Sequence, residues 1–343
     1  MADEAIAAEP ESSLTAQAVY FTAPRTVEVR RVALHPDPDI PQARQKLVHS
    51  RLCGISHGTE LLVFRDELPD RIEGETLAAL GETGRYPLRY GYMNVGVTAG
   101  GRRVFAFQPH QDRFWARDED LIEIPDAVSD EDAVLLPSVE TALSVVHDAA
   151  PRYGEVVAVL GLGVIGLLVS ELLLRMGMHK VIGVEPRDDR RRRASKLGCR
   201  TFEPNDPELY DAVEQLTRGR GIDVAVNTSA AASGLQLAVD LSGLHATVVE
   251  ASWYGRRSVQ LTLGEVFHRR RLTLKSSQVS RIDPALSGRW SKLRRLETAL
   301  RLCVELHPAK YVTHRFRLDQ AQHAFELLDR GPEGVLQILL GTV

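Results

Sequence analysis

Residues 154–177 read GEVVAVLGLGVIGLLVSELLLRMG. A short β-branched run breaks at a glycine turn and continues as an apolar stretch of helical length. Gly161, Gly163 and Gly166 give the spacing G-x-G-x-x-G, with Val164 and Ile165 opening the helix. Glycines there let backbone N–H groups approach a pyrophosphate at a helix N-terminus, where the dipole favours anions. The next predicted strand, KVIGVE, ends on Glu185, nineteen residues after Gly166. A carboxylate at that point accepts hydrogen bonds from adenosine ribose hydroxyls and repels a 2′-phosphate. The stretch reads as the first β–turn–α unit of a dinucleotide-binding domain, with NAD as the expected cofactor. Arg187 and the arginine run 190–193 follow at once. Arg190 and its neighbours either line a solvated helix face that cradles the adenine or grip a 2′-phosphate, so NADP stays open.

The alternation continues outward. DDRRRRASKLG, DPELYDAVEQLTRG and SGLQLAVDLSG read as helices between the strands CRTFE, IDVAVNT and HATVVEAS. Strands alternating with helices of this length predict βαβ units and a parallel sheet. VVAVL and VIGV are continuous apolar runs, as strands buried on both faces should be. Ligands bind beyond the carboxyl ends of such strands. That places Thr228, Ser229, Ser252, Trp253 and Gln278 on the cofactor side, although a lone Trp such as Trp253 also serves as packing.

The first 140 residues differ. Pro and Gly are frequent, and short strand-like pieces (AVYFT, TVEVRRV, RRVFAF) are separated by loops, which fits an irregular β-rich domain. After residue 285, WSKLRRLETALRLCVE and DQAQHAFELLDRG read as helices, with RFRL and GVLQILL as strands.

The chain has 343 residues, about right for two domains, and a net charge of −4, which leaves no nucleic-acid footprint. Only six of its 42 basic residues are lysines, as in an arginine-rich, high-GC coding sequence. Cys53, Cys199 and Cys303 are too scattered for a disulfide framework or a metal knuckle. MADEAIAAEPESS at the start is acidic, lacks the features of a signal peptide and reads as a disordered tail over 1–13. The apolar runs are too short and glycine-broken to cross a bilayer. A soluble cytoplasmic enzyme is expected.

The combination of a β-rich N-terminal domain, GLGVIG and the C-terminal YVTHRFRLDQAQHAFELLDRGPEGVLQILL resembles the medium-chain dehydrogenase/reductase superfamily. The resemblance runs from about residue 17 to the end. It implies an α/β fold: a GroES-like catalytic domain over 14–143, a Rossmann doubly wound parallel sheet over 144–284, and a return to the catalytic domain over 285–343. It implies an active site between the two domains and a homodimer built by sheet extension near residues 272–282. Zinc members carry a cysteine in a GICxSD-like segment, a GHE histidine and glutamate, and a later cysteine or glutamate. Here GISHGTE puts Ser56 at the first of these positions, GYM puts Tyr92 and Met93 at the next two, and LLPSVETAL puts Pro137 at the last. Zn²⁺ takes thiolate, imidazole or carboxylate, so no zinc is expected. CGISHGTE, PLRYGYMNVG, FQPHQDRF, LPSVETAL and EASWYG together resemble a branch described as bacteriochlorophyllide a dehydrogenase-like. The label implies interconversion of a secondary alcohol and a ketone. A sugar, a cyclitol or another biosynthetic intermediate, as in secondary-metabolite biosynthesis, is the expected substrate. Zinc-less relatives also include enoyl and quinone reductases that use NADPH, and non-catalytic dinucleotide-binding proteins.

With the metal gone, protein groups must accept the hydroxyl proton and hold the developing charge. The candidates are His57, Glu60, Tyr92, His110, Asp112 and Glu140. By resemblance His57 contacts the cofactor phosphate or relays a proton. Tyr92 offers its hydroxyl to a substrate oxygen, or merely fills the vacated site. Glu140 precedes Thr141, whose counterparts pack on the nicotinamide; it is a general base if burial raises its pKa, or one half of an ion pair. Glu60 orients His57 or plays a structural part. His110 and Asp112 reach towards the site or, with Arg113, form a surface cluster. His57, Glu60 and His110 have the right atoms for a rebuilt metal site but no recognised spacing.

Overall fold

A computed structural model describes residues 14–69 and 85–342; the expected tail over 1–13 lies outside them. The chain divides into two compact units, residues 136–308 and residues 1–135 with 309–343.

The 136–308 unit carries a six-stranded parallel sheet. In chain order its strands are Val157–Leu160, Val181–Val184, Arg200–Phe202, Ile222–Asn227, Ser242–Glu250 and Thr273–Ser276. Numbered within the whole chain these are β8 to β13, and their order across the sheet is β10-β9-β8-β11-β12-β13. The order reverses between β8 and β11, which makes a topological switch point, the usual place for a ligand in such sheets. All four residues of β8 and of β9 are buried, as their uninterrupted apolar sequences require. The flanking helices are α3 (Leu136–Ala149), α4 (Val164–Arg175), α5 (Asp188–Leu197), α6 (Glu208–Thr217), α7 (Ala232–Leu241), the single turn α8 (Val266–Arg269) and α9 (Lys292–Leu306).

The unit starts at 136 rather than at 144, and runs to 308 rather than to 284. The physical reason is Arg295 on α9. It is 2% exposed, and its Nε donates to Glu140 Oε1 on α3 at 3.1 Å. Its Nη1 donates to Ser144 Oγ at 3.1 Å and to the Arg281 carbonyl at 3.0 Å. A buried guanidinium must satisfy its donors, and doing so ties α3 and α9 together.

The other unit is β-rich. β1 (Thr15–Ala23) and β2 (Thr26–Ala33) form an antiparallel pair. β3 (Gln45–Gly54), β4 (Asn94–Thr98), β5 (Arg103–Ala106) and β7 (Ile122–Glu123) lie in one sheet with β14 (Val312–Arg317) and β15 (Gln337–Gly341), and β6 (Arg113–Arg117) pairs with β3. Among the described residues the α-helices of this unit are α1 (Thr59–Phe64), α2 (Asp130–Ala133) and α10 (Ala321–Arg330). The last segment of the chain is thus sheet-forming here: β15 lies antiparallel to β3. The core gathers Val19, Phe21, Ile55, Phe64, Phe325 and Leu328, and Phe325 stacks on Phe64 with ring centres 5.6 Å apart. Two bonds from β15 hold the loop that leaves β3. Ile55 N–H donates to the Ile338 carbonyl at 3.1 Å, and Gln337 Nε2 donates to the Ile55 carbonyl at 2.9 Å. Ser56 follows directly.

Candidate active site

In the 136–308 unit the glycine turn is shaped by contacts that only glycine allows. A Cβ on Gly166 would stand 1.9 Å from the Gly161 carbonyl oxygen, and one on Gly161 would stand 2.7 Å from Ser229 Cα. Gly161 also takes a positive φ of 88°. Thr228, just past β11, donates its hydroxyl to the Gly161 carbonyl at 2.8 Å, so β8, α4 and β11 meet at the switch point. Gly163 caps α4 without any side-chain bond, and a Cβ there meets nothing closer than Arg190 Nη1 at 3.8 Å. The first-turn amides, Val164 and Ile165 among them, have no partner inside the helix. An anion fits that cradle, and the residues present therefore fit a dinucleotide pyrophosphate.

Glu185 is 3% exposed. Its Oε2 accepts the Leu162 amide at 2.8 Å and its Oε1 the Arg187 amide at 3.2 Å. The carboxylate thus braces the glycine turn, and each oxygen keeps a second lone pair for a ribose hydroxyl. The arginines around it are matched within the chain. Arg190 lies 3.8 Å from Glu185 and Arg187 lies 3.7 Å from Asp189. Arg191 bonds the Glu185 and Pro186 carbonyls and Glu203, and Arg192 pairs with Asp188.

Beyond β11 and β12 a polar network sets the loops. Ser229 Oγ donates to Asn227 Oδ1 at 2.7 Å, and the Ala230 amide donates to Ser252 Oγ at 3.0 Å. Asn227 Nδ2 donates to Glu250 Oε2 at 2.6 Å, which also accepts the Tyr254 hydroxyl at 3.0 Å. Asn227, Glu250 and Tyr254 went unnoticed in the sequence, where nothing marks the pairing across strands. Trp253 is 39% exposed, which is not the burial of a packing aromatic. Gln278 is exposed, with its Oε1 accepting the Ser280 amide and hydroxyl in a local turn. Thr141 is half-buried on α3. Glu140, one residue earlier, is buried against Arg295. Burial raises its pKa while the guanidinium pulls it down. One of its oxygens, Oε1, is engaged in an ion pair with Arg295.

In the β-rich unit, Tyr92 and Ser56 meet: the Tyr92 hydroxyl donates to Ser56 Oγ at 2.6 Å. Both side chains are half-buried. The Ser56 amide donates to Glu60 Oε1 at 3.1 Å, the short reach allowed by placing Glu60 in the first turn of α1. The other carboxylate oxygen, Oε2, lies 2.6 Å from His110 Nε2. Glu60 and His110 are both 0% exposed. Burial alone would discharge the imidazole, but the Glu60 carboxylate overrides it, and the pKa of His110 is raised to about 10. Thr59 and Tyr90 join from the same side, and burial with the neighbouring Glu60 charge pushes the Tyr92 phenol up to about 12. Gly91 explains the close fit. It has a φ of 140°, and a Cβ there would stand 2.9 Å from His110 Nε2.

His110 is therefore a core residue, not part of a surface cluster. Asp112 is separate from it in role: its Oδ1 accepts the Gln17 amide at 2.9 Å and its carbonyl accepts the Ser50 amide at 2.8 Å, stitching β1 to β3. His57 is half-buried on the loop before α1. Glu60 orients His110 and the Ser56 backbone. Sequence reasoning saw Ser56 only as a lost ligand; the glutamate four residues on was the available signal.

The metal expected of zinc relatives does not fit these residues. Ser56 and Tyr92 are spent on each other as hydroxyls, and Met93 is 1% exposed and packs against Gly54. Among the described residues no group of three or more His, Cys, Asp and Glu side chains is arranged to hold a metal ion. Among them, too, no helix is long and apolar enough to cross a membrane.

Residues 164–297 match the family model of zinc-binding dehydrogenases. An uncharacterized zinc-type alcohol dehydrogenase-like protein of Escherichia coli is 26% identical, over 94% of this chain and 98% of that protein. D-guloside 3-dehydrogenase of E. coli is 30% identical over 53% of this chain, which spans about half of that enzyme's length, 52%. In fold, the 2R,3R-butanediol dehydrogenase of Bacillus subtilis matches with a TM-score of 0.74 at 20% identity, over 96% of this chain and all of that one. Over these stretches the chain is similar to zinc-type alcohol dehydrogenases. The α/β fold with a parallel and a mixed sheet is the one such dehydrogenases share.

Proposed function

We propose that this NAD(P)-dependent oxidoreductase acting on CH–OH groups interconverts a secondary alcohol and a ketone without zinc, with Tyr92 holding the reacting oxygen. The observation that carries the reading is the Tyr92–Ser56 hydroxyl pair, 2.6 Å apart; by the sequence resemblance these two positions hold metal ligands in zinc relatives. When bound, the dinucleotide supplies the hydride acceptor or donor. The chain supplies the pyrophosphate cradle at Gly163, the ribose acceptor Glu185 and the oxygen-holding phenol. Hydroxyls of Ser56, Thr59 and Tyr92 suit a polyhydroxylated substrate such as a sugar or cyclitol, a class to which the guloside of the relative's name also belongs. NAD is preferred over NADP, because the arginines near Glu185 are matched by Asp188, Asp189, Glu203 and Glu185 itself, so a 2′-phosphate would meet carboxylates. The exposed edge strand β13 supports a homodimer by sheet extension.

The test is turnover of a panel of vicinal diols, methyl glycosides and inositols with NAD+ and NADP+. The protein is purified without metal-affinity resin and dialysed against chelator. NAD+-linked turnover with less than about a tenth of an equivalent of zinc per chain is expected, since one zinc per site is the ordinary stoichiometry. Activity lost on chelation and restored by Zn²⁺ overturns the metal-free part. NADPH oxidation on activated alkenes alone overturns the alcohol reading in favour of an enoyl or quinone reductase.

A further inference from the structure

The phenol of Tyr92 donates its proton to Ser56 Oγ at 2.6 Å. Its oxygen has two lone pairs; the Thr59 side chain engages the phenol as well, which leaves one of them for a further donor. Ser56 is not free to turn away. Its amide is fixed by Glu60 Oε1 at 3.1 Å, and Glu60 is itself fixed from behind by His110, which lies against Gly91, the neighbour of Tyr92. Two half-buried hydroxyls thus rest on a fully buried pair of charged groups. The half-buried Ser56 has a face towards solvent.

We infer that Ser56 is the second station of a hydroxyl relay: as the substrate O–H passes its proton to Tyr92 Oη, Tyr92 passes its own proton to Ser56 Oγ, and Ser56 releases one to water. The inference rests on the reading that Tyr92 holds the reacting oxygen. The balance closes. The substrate O–H bond breaks and its electron pair stays on the oxygen that becomes the carbonyl. The C–H bond leaves as hydride to the oxidised dinucleotide. Tyr92 and Ser56 each lose one proton and gain one, so both end neutral, and one proton reaches solvent. A relay suits this site better than a phenolate base, because burial and the adjacent Glu60 carboxylate hold the Tyr92 phenol protonated at neutral pH. Glu60 and His110 are positioning residues in this scheme. They act through the Ser56 backbone and do not touch the substrate.

The experiment has two readouts. The first needs no cofactor: the hydroxyl proton resonance of Tyr92, assigned by its loss in Tyr92→Phe. It is expected in the wild type and in Ser56→Thr, which keeps a hydroxyl, and is expected to vanish into solvent exchange in Ser56→Ala. The second is kcat and its solvent proton inventory on the panel alcohol with the highest kcat/KM. Ser56→Ala is expected to lower kcat about 100-fold, the scale of one positioned proton-transfer group. KM should change little, the bowed two-proton inventory should straighten, and Ser56→Thr should restore both. A Tyr92 resonance that persists in Ser56→Ala, or a Ser56→Ala enzyme with wild-type kcat and inventory, overturns the relay. In that case a Tyr92→Phe enzyme that is inactive leaves the alcohol reading standing. Wild-type turnover by Tyr92→Phe removes both.

Discussion

The dinucleotide turn and the hydroxyl site solve the same problem with different materials. Around Gly161–Gly166 the ligand-facing surface is backbone, and side chains matter chiefly by their absence. Around Ser56 and Tyr92 it is side chain, held from behind by a buried Glu60–His110 pair. A surface made of backbone fails when an atom is added. A surface made of side chains fails when one is removed. The difference also explains why the two carry unequal marks in the sequence, since glycine spacing is local whereas the hydroxyl pair joins residues 36 positions apart.

The largest expected effect tests the side-chain surface. Glu60→Ala leaves His110 fully buried without its charge and hydrogen-bond partner, and unfolding experiments should show a loss of about 3 kcal/mol. A loss below about 1 kcal/mol would mean that the pair is not a support. Next comes Gly166→Ala, where the added Cβ meets the Gly161 carbonyl at 1.9 Å. The clashing carbonyl is backbone, and the next neighbour, the Thr228 hydroxyl at 2.9 Å, is bonded to it, so destabilisation of about 3 kcal/mol is expected in the same assay.

Gly163→Ala sharpens the contrast. Its Cβ enters open space and its φ of −69° suits alanine, so stability should stay within about 0.5 kcal/mol. Its NADH affinity, by fluorescence titration, should nevertheless fall about tenfold, or about 1.4 kcal/mol, because the methyl group intrudes where the pyrophosphate approaches. Unchanged affinity would move the anion site away from Gly163.

The smallest effect is a pH dependence. His110 faces Glu60 and the Cys53 thiol, and its folded pKa of about 10 lies above the ordinary 6.5. A raised histidine pKa means that the stability it contributes is fully present below about pH 6.5 and is lost progressively as pH rises through about 10. The stability gap between the wild type and His110→Gln should therefore narrow from pH 6 to pH 10.5 in urea titrations. A gap that is constant across that range would show that His110 does not titrate with folding.

The glycine turn, Glu185 at the end of β9 and the alternation of strands and helices were legible because each is a local pattern with a fixed period or spacing. The residue types Ser56, Tyr92, Met93 and Pro137 could be read in the same way, at the positions where the resemblance expects metal ligands. The pairing of Glu140 with Arg295 could not, because the two lie 155 residues apart and nothing local in either α3 or α9 announces the other. That pair ties α9 to α3 beyond the expected domain limits and engages Glu140 Oε1. For His110 the sequence left two places open, near the site or in a surface cluster, for a similar reason: QPHQDRF is polar as a string, and only packing against Gly91 and Glu60 makes its histidine a core residue.

By itself, then, the sequence determined the glycine turn and the class of sheet, since backbone geometry depends on residue type and short spacing. Only the tertiary structure decided which polar side chains meet. Hydrogen bonds such as Tyr92 to Ser56 and Glu60 to His110 act over about 3 Å, and distance along the chain carries almost no information about distance in space.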